Sequence, residues 1–111
     1  MKADTLVKTT IAALEDIKAY DIEILNVTKI TSLFDYMIIA SADSTRQVKA
    51  LANNVQEKAK AANETVYSVE GEQSGEWILV DLGNVIVHIM QPATRQYYNI
   101  KALWTDQSKD N

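Results

Sequence analysis

Apolar positions recur along the chain with two different periods. Val7, Ile11, Leu14 and Ile17 are spaced by threes and fours, which lines one face of an α-helix. This predicts a helix over residues 4 to about 18, with Asp4 as its N-cap. A short strand is predicted over 22–27, where Ile22 and Ile24 alternate with Glu23 and Leu25. After a connection at 28–34, the run Tyr36-Met37-Ile38-Ile39-Ala40 is almost wholly apolar. It reads as a strand, 35–40, buried on both faces. Ser44 followed three positions later by Gln47 is a capping box. Behind it Val48, Leu51, Ala52, Val55 and Ala59 line a helix that runs to about Ala62 and breaks at Asn63-Glu64. Residues 65–69 are rich in β-branched side chains and predict a third strand, followed by a polar loop over 70–75.

Residues 75–90 carry the densest information. Gly83-Asn84 separates two β-rich runs, a two-residue hairpin signal. Glycine in first place suits a type II′ turn, which needs a positive φ there. That turn sets Leu82 opposite Val85, Val80 opposite Val87 and Ile78 opposite Ile89, an all-aliphatic face. The other face pairs Asp81 with Ile86, Leu79 with His88 and Trp77 with Met90. The first face is core. The second mixes an aromatic, a carboxylate, an imidazole and a thioether, the chemistry of a surface that meets something. Pro92 ends the last strand. Residues 94–104 predict a short helix or two turns anchored by Tyr98, Leu103 and Trp104, and the polar tail 105–111 reads as disordered.

The predicted order is α-β-β-α-β-β-β-α. It implies one α+β domain over 1–104, a mixed five-stranded sheet with two main helices packed on it and a short C-terminal helix. At 111 residues, with 47% hydrophobic and 23% charged, the chain is long and apolar enough for one core. No apolar run reaches the length of a membrane span, the first residues lack the apolar core of a signal peptide, and there is no cysteine. These features favour a cytoplasmic protein. Net charge is −4 and no Lys/Arg cluster appears, so little direct nucleic-acid binding is expected and a basic protein partner suits better.

Reactive chemistry is sparse. His88 is the one histidine, too few for a zinc site without carboxylates in nearly every position. No Gly-x-Ser-x-Gly elbow and no Gly-rich phosphate loop occurs. Neither a metal nor a cofactor is expected. The segment Ala40-Ser41-Ala42-Asp43-Ser44-Thr45-Arg46 enters a helix N-terminus, where free amides and Arg46 would hold an anion. Against that, Ser44 as a simple N-cap explains the segment without a ligand. A small metal-dependent nucleotidyl transferase built on 41–46 is the rival enzymatic reading. It lacks an Asp-x-Asp pair on the following strand, Thr65-Val66-Tyr67-Ser68-Val69.

Three motifs together resemble the Iojap/RsfS family of ribosomal silencing factors. They are Asp35-Tyr36-Met37-Ile38-Ile39-Ala40 with Ser44-Thr45-Arg46-Gln47-Val48, the stretch from Gly75 to His88, and Arg95 with Tyr98 and Leu103-Trp104. The resemblance spans 6–104. It implies a nucleotidyltransferase-like fold without the catalytic carboxylates, so no enzyme. It implies binding to the large ribosomal subunit through large-subunit ribosomal protein fourteen, a block of subunit joining, repression of translation under nutrient limitation, and a homodimer when free. The chain departs from the family pattern at Asn84, where Asp is usual, at Met90, where Phe is frequent, and at Ala93, where an acid is frequent.

The candidate partner-binding residues are Trp77, Glu76, Asp81, His88, Met90 and Tyr98. Trp77 is either an interface anchor, a role in which Trp is enriched, or part of a second small core under a helix. Glu70, Glu72 and Glu76 would give it an acidic rim or form a solvated loop. His88 reads first as a hydrogen-bonded structural residue and second as a partner contact. Asp81 either meets a basic partner or closes the hairpin locally. Trp104 pins the last helix, and Arg95 reads as an ion-pair partner.

Overall fold

The computed structural model describes residues 2–105, with side chains described for 3–104. Helix α1 is Lys2–Asp16, followed by strands β1 (Tyr20–Asn26) and β2 (Tyr36–Ser41). Helix α2 (Thr45–Ala61) leads to β3 (Ser68–Glu70), β4 (Trp77–Asp81) and β5 (Val85–Met90). Two short helices end the chain, α3 (Pro92–Tyr98) and α4 (Ile100–Thr105). The expected order holds, with the last helix divided in two. The predicted tail beyond Thr105 lies outside the described residues. No helix among them is long and apolar enough to cross a membrane.

The five strands form one mixed sheet in the order β1-β2-β5-β4-β3. Only β2 and β5 are parallel. They sit at the centre, where both faces are covered, and this is why β2 carries a continuous apolar run. The hairpin register is as the turn predicts: Trp77 pairs with Met90, Ile78 with Ile89, Leu79 with His88, Val80 with Val87 and Asp81 with Ile86. Gly83 has φ +89°, Asn84 is not among the positive-φ residues, and the Leu82 amide donates to the Val85 carbonyl at 2.9 Å. A positive φ at the first central residue and not at the second is the pattern of a II′ turn.

Alternation along the strands creates two cores. On one face Ile38, Ala40, Ile78, Val80, Val85, Val87 and Ile89 pack with Leu14, Val48, Leu51 and Val55 of α1 and α2. On the other, Leu25, Val27, Met37, Ile39 and Met90 pack with Ile100 of α4, with Phe34, Trp77 and Trp104 at the margin. The C-terminal helices thus add a partial layer on the face opposite α1 and α2.

Several boundaries shift for identifiable reasons. Asp4 is not the α1 N-cap. The helix starts earlier, and the Asp4 carboxylate accepts the Tyr36 hydroxyl proton at 3.3 Å. The buried line of α1 is broader than the predicted stripe, taking in Leu6, Thr10 and Ala13, because α1 packs on α2 as well as the sheet. Asn54 reaches across to donate to the Ala13 carbonyl at 2.9 Å. Both long helices end in Schellman motifs: Lys18 and Asn63 take φ of 68° and 64°, and the amides of Ala19 and Glu64 reach back to the carbonyls of Leu14 and Ala59. Strand β3 is shorter than predicted because its partner stops. Ser68 already pairs with Asp81, the last residue of β4.

Ser44 caps α2 as its sequence predicts, its hydroxyl accepting the Gln47 amide proton at 3.1 Å. The Gln47 side chain reaches the Asp43 amide rather than that of Ser44, and donates to the carbonyls of Ile17 and Lys18. The cap therefore also ties α2 to the end of α1. Ser44→Ala is expected to lower the unfolding free energy by about 1 kcal/mol, read from urea denaturation. No change in the midpoint would contradict the role of this hydroxyl.

Candidate functional site

The mixed face of the hairpin and the C-terminal helices enclose an open groove of about 390 Å³, lined by Phe34, Met37, Trp77, Leu79, Asp81, Ile86, His88, Tyr98, Ile100, Leu103 and Trp104. Its size suits a small-molecule or side-chain site. Period-two alternation brings Trp77, Leu79 and Asp81 from β4 and Ile86 and His88 from β5 to one side. The helices supply the opposite wall.

Trp77 and His88 are diagonal neighbours across the strands. The indole Nε1–H donates to His88 Nδ1 at 2.9 Å. This satisfies the indole of a half-buried Trp and fixes the imidazole. Tyr98 stacks against Trp77 with ring centroids 4.8 Å apart, and Tyr97 meets Tyr98 edge-on at 4.9 Å. At the far end Phe34 and Trp104 lie 5.4 Å apart. Tyr98 is 50% exposed and Leu103 61%, so the rim of the groove is apolar and accessible.

The six expected residues separate by depth. Tyr98 and Glu76 are exposed, and Trp77 and Asp81 are half-buried. His88 and Met90 are buried, because α4 and Trp77 close over the end of β5. Met90 presents no free surface for the partner contact expected of it, whereas His88 has the hydrogen-bonded structural role that the sequence reads first. His88 keeps one side on the groove, whereas Met90 supports Trp77 from within the second core. The second-core reading of Trp77 holds: it packs at the margin of that core, and it also walls the open groove. Asp81 closes the hairpin, its Oδ1 accepting the Gly83 amide proton at 2.8 Å, and still reaches the groove. Leu79 and Ile86 share the face but were not singled out from the sequence. Phe34 was missed because it lies in a loop and meets Trp104 only through the fold.

Arg95 has the structural role its sequence context suggested. It pairs with Glu23 at 3.2 Å and donates to the Asp21 carbonyl at 2.6 Å and to Ser41 Oγ at 2.8 Å. Asp21 sits at the β1 bulge with φ 50°. Lys101 also meets Glu23, at 3.1 Å. In the 41–46 segment three polar groups have local tasks. Ser41 receives Arg95, Ser44 caps α2, and Asp43 accepts the Tyr20 hydroxyl proton. Arg46 is exposed. Among the described residues, no three His, Asp or Glu side chains gather where they would hold a metal.

Burial pushes the His88 pKa from 6.5 down to about 4. The unfolded chain therefore takes up the proton first as pH falls. Stability from this group is full above about pH 6.5 and is lost between there and about pH 4, roughly 3 kcal/mol in all. Protonation also converts Nδ1 from acceptor to donor and breaks the Trp77 bond. Urea unfolding from pH 7.5 to 4.5 is expected to fall more steeply for the native chain than for His88→Gln. Parallel profiles would contradict a buried neutral imidazole.

A family model described as "Ribosomal silencing factor during starvation" matches residues 1–111. "Ribosomal silencing factor RsfS" of Chromobacterium violaceum is 55% identical over 107 residues, 96% of this chain and 88% of that one. The mouse "Mitochondrial assembly of ribosomal large subunit protein 1" is 30% identical over 91% of this chain and 46% of its own length. A crystal structure of a Chromobacterium violaceum protein superposes with TM-score 0.92 at 56% identity, covering 94% of this chain and 87% of that chain. The chain belongs to the RsfS (Iojap) family of ribosomal silencing factors, regulators rather than enzymes.

Proposed function

We propose that this protein docks on the large ribosomal subunit through the Trp77–Tyr98 groove. Its contact is a basic protein there, large-subunit ribosomal protein fourteen. The mechanism is occlusion: a rigid domain at the joining face keeps the small subunit from closing, and translation falls under nutrient limitation. The reading places the protein in the cytoplasm and makes it a homodimer when free. One observation carries it: an accessible aromatic pair, 4.8 Å apart, over an open apolar groove in a chain of this family.

An apolar, aromatic-lined groove with a few placed polar groups is the form that binding sites take. Trp77 and Tyr98 supply large area at low entropic cost, the character of interface hot spots. Asp81 lines the groove, and Glu76 is the exposed residue just before Trp77 in sequence, so acidic groups accompany the apolar centre. That pattern complements a basic protein, in keeping with the net charge of −4. His88 and Met90 act from beneath, holding Trp77 in place. The name of the mouse relative, which refers to mitochondrial assembly of the ribosomal large subunit, points in the same direction.

Trp77→Ala is expected to lose roughly 2 kcal/mol or more of large-subunit affinity. Tyr98→Ala, at a half-exposed residue outside both buried cores, should weaken binding less and lower the thermal unfolding midpoint only slightly. Co-sedimentation with purified large subunits reads both, and undiminished co-migration of the two variants defeats the docking surface. Association should also slow as salt rises from low to physiological strength. A flat on-rate removes the electrostatic part.

A further inference from the structure

His88 holds a hydrogen-bonding group that the fold does not use. Its Nδ1 accepts the Trp77 indole proton, so the neutral ring carries its own proton on Nε2. The residue is 5% exposed. Among the described residues no acceptor pairs with Nε2. An occupant that strips water from this N–H without offering an acceptor pays a cost in free energy. Thr10 Oγ1 is sealed and unpartnered, but Nε2 is not among such atoms. The imidazole lines the groove, so whatever enters the groove decides whether that donor is satisfied.

Asp81 adds a second constraint. One of its carboxylate oxygens is committed to the Gly83 amide, and the side chain lines the same groove. A carboxylate here disfavours an anionic occupant and favours a neutral one flanked by positive charge. The remaining walls, Trp77, Leu79, Ile86 and Leu103, ask for apolar volume.

We infer that the groove receives an apolar side chain of the protein partner together with a neutral oxygen acceptor, a carbonyl or hydroxyl, which His88 Nε2–H meets. This rests on the docking reading above and adds what the partner must present. His88 is then a specificity-determining residue. A purely aliphatic occupant fills the volume and leaves the donor unpaired, whereas an occupant with a placed oxygen satisfies it, and that difference discriminates between partners of similar shape.

A matched pair of probes tests it: 1-indanone, and indane, the same fused ring system without the carbonyl. Each is titrated into the full chain and followed by two-bond ¹⁵N–¹H spectra of the imidazole, which report the tautomer. The expected result is an Nε2–H tautomer in the free protein. 1-Indanone should bind roughly three- to tenfold more tightly than indane, as one neutral hydrogen bond allows, and should displace the His88 Nε2 resonance. His88→Phe is expected to keep indane binding and abolish the preference. Because the pair is compared on the native chain, the test does not depend on that variant folding. Equal affinities, no displacement at His88 by 1-indanone, or a proton found on Nδ1 overturns the inference. Large subunits separate the two claims. Full affinity of both Trp77→Ala and Tyr98→Ala for large subunits removes the docking reading alone. A clear preference for 1-indanone that leaves large-subunit binding unchanged at saturation overturns the assignment of the occupant to that partner.

Discussion

The register of the hairpin at Gly83–Asn84 decides which side chains face which layer. In a strand the side-chain period is two, so a slip of one residue exchanges the faces. Trp77, Leu79 and Asp81 would then turn toward α1 and α2, burying a carboxylate in an aliphatic core, while Ile78 and Val80 would line the groove. Two contacts hold the register: Gly83 at φ +89°, where a Cβ would also meet the Tyr67 ring at 2.8 Å, and Asp81 Oδ1 on the Gly83 amide. The parallel strand β2 pairs with β5 along its whole length. The register therefore places Met37 and Ile39 in the second core as well.

What was legible in the sequence was what local chemistry controls. The turn dictated the β4–β5 pairs, the Ser44–Gln47 spacing located the α2 cap, and the apolar run 36–40 marked β2 as a strand buried on both faces. What was not legible depends on distant residues. Asp4 has the residue type of an N-cap, but it answers a tyrosine thirty-two positions away. His88 and Met90 alternate correctly onto the mixed face, yet α4 buries them, and nothing local to β5 says where the C-terminal helices will lie. The break between α3 and α4 is at Asn99, with φ 46°. Asparagine tolerates that conformation, but a single Asn is too weak a signal to divide the predicted stretch 94–104.

The Trp77–His88 pair resolves a conflict between two demands on one face. A tryptophan that is to meet a partner must be reachable, and one that is to be rigid must be packed. Half-burial against Met90, with its indole N–H taken by His88, gives rigidity from below and leaves an edge of the ring to Tyr98 and the groove. The imidazole accepts that bond only while neutral, and burial depresses its pKa to about 4, so the arrangement is intact at neutral pH.

An apolar groove in water tends to close, because each wall gains by covering the other. Keeping it open requires that the walls be held from outside. Helix α3 has no buried residue, so apolar packing alone does not anchor it. It is tied instead by Arg95, which bonds to the Asp21 carbonyl, Ser41 and Glu23, while Lys101 brings α4 to the same glutamate. Exposed ion pairs contribute little singly. Arg95, however, is mostly shielded, and its bonds to Asp21 and Ser41 have fixed geometry. At the other end Phe34 against Trp104 supports α4 on the loop before β2. With both ends supported, the helices meet the hairpin at Tyr98 and Trp77 and the groove stays open. Free energy that collapse of the groove would have released remains available to whatever binds there.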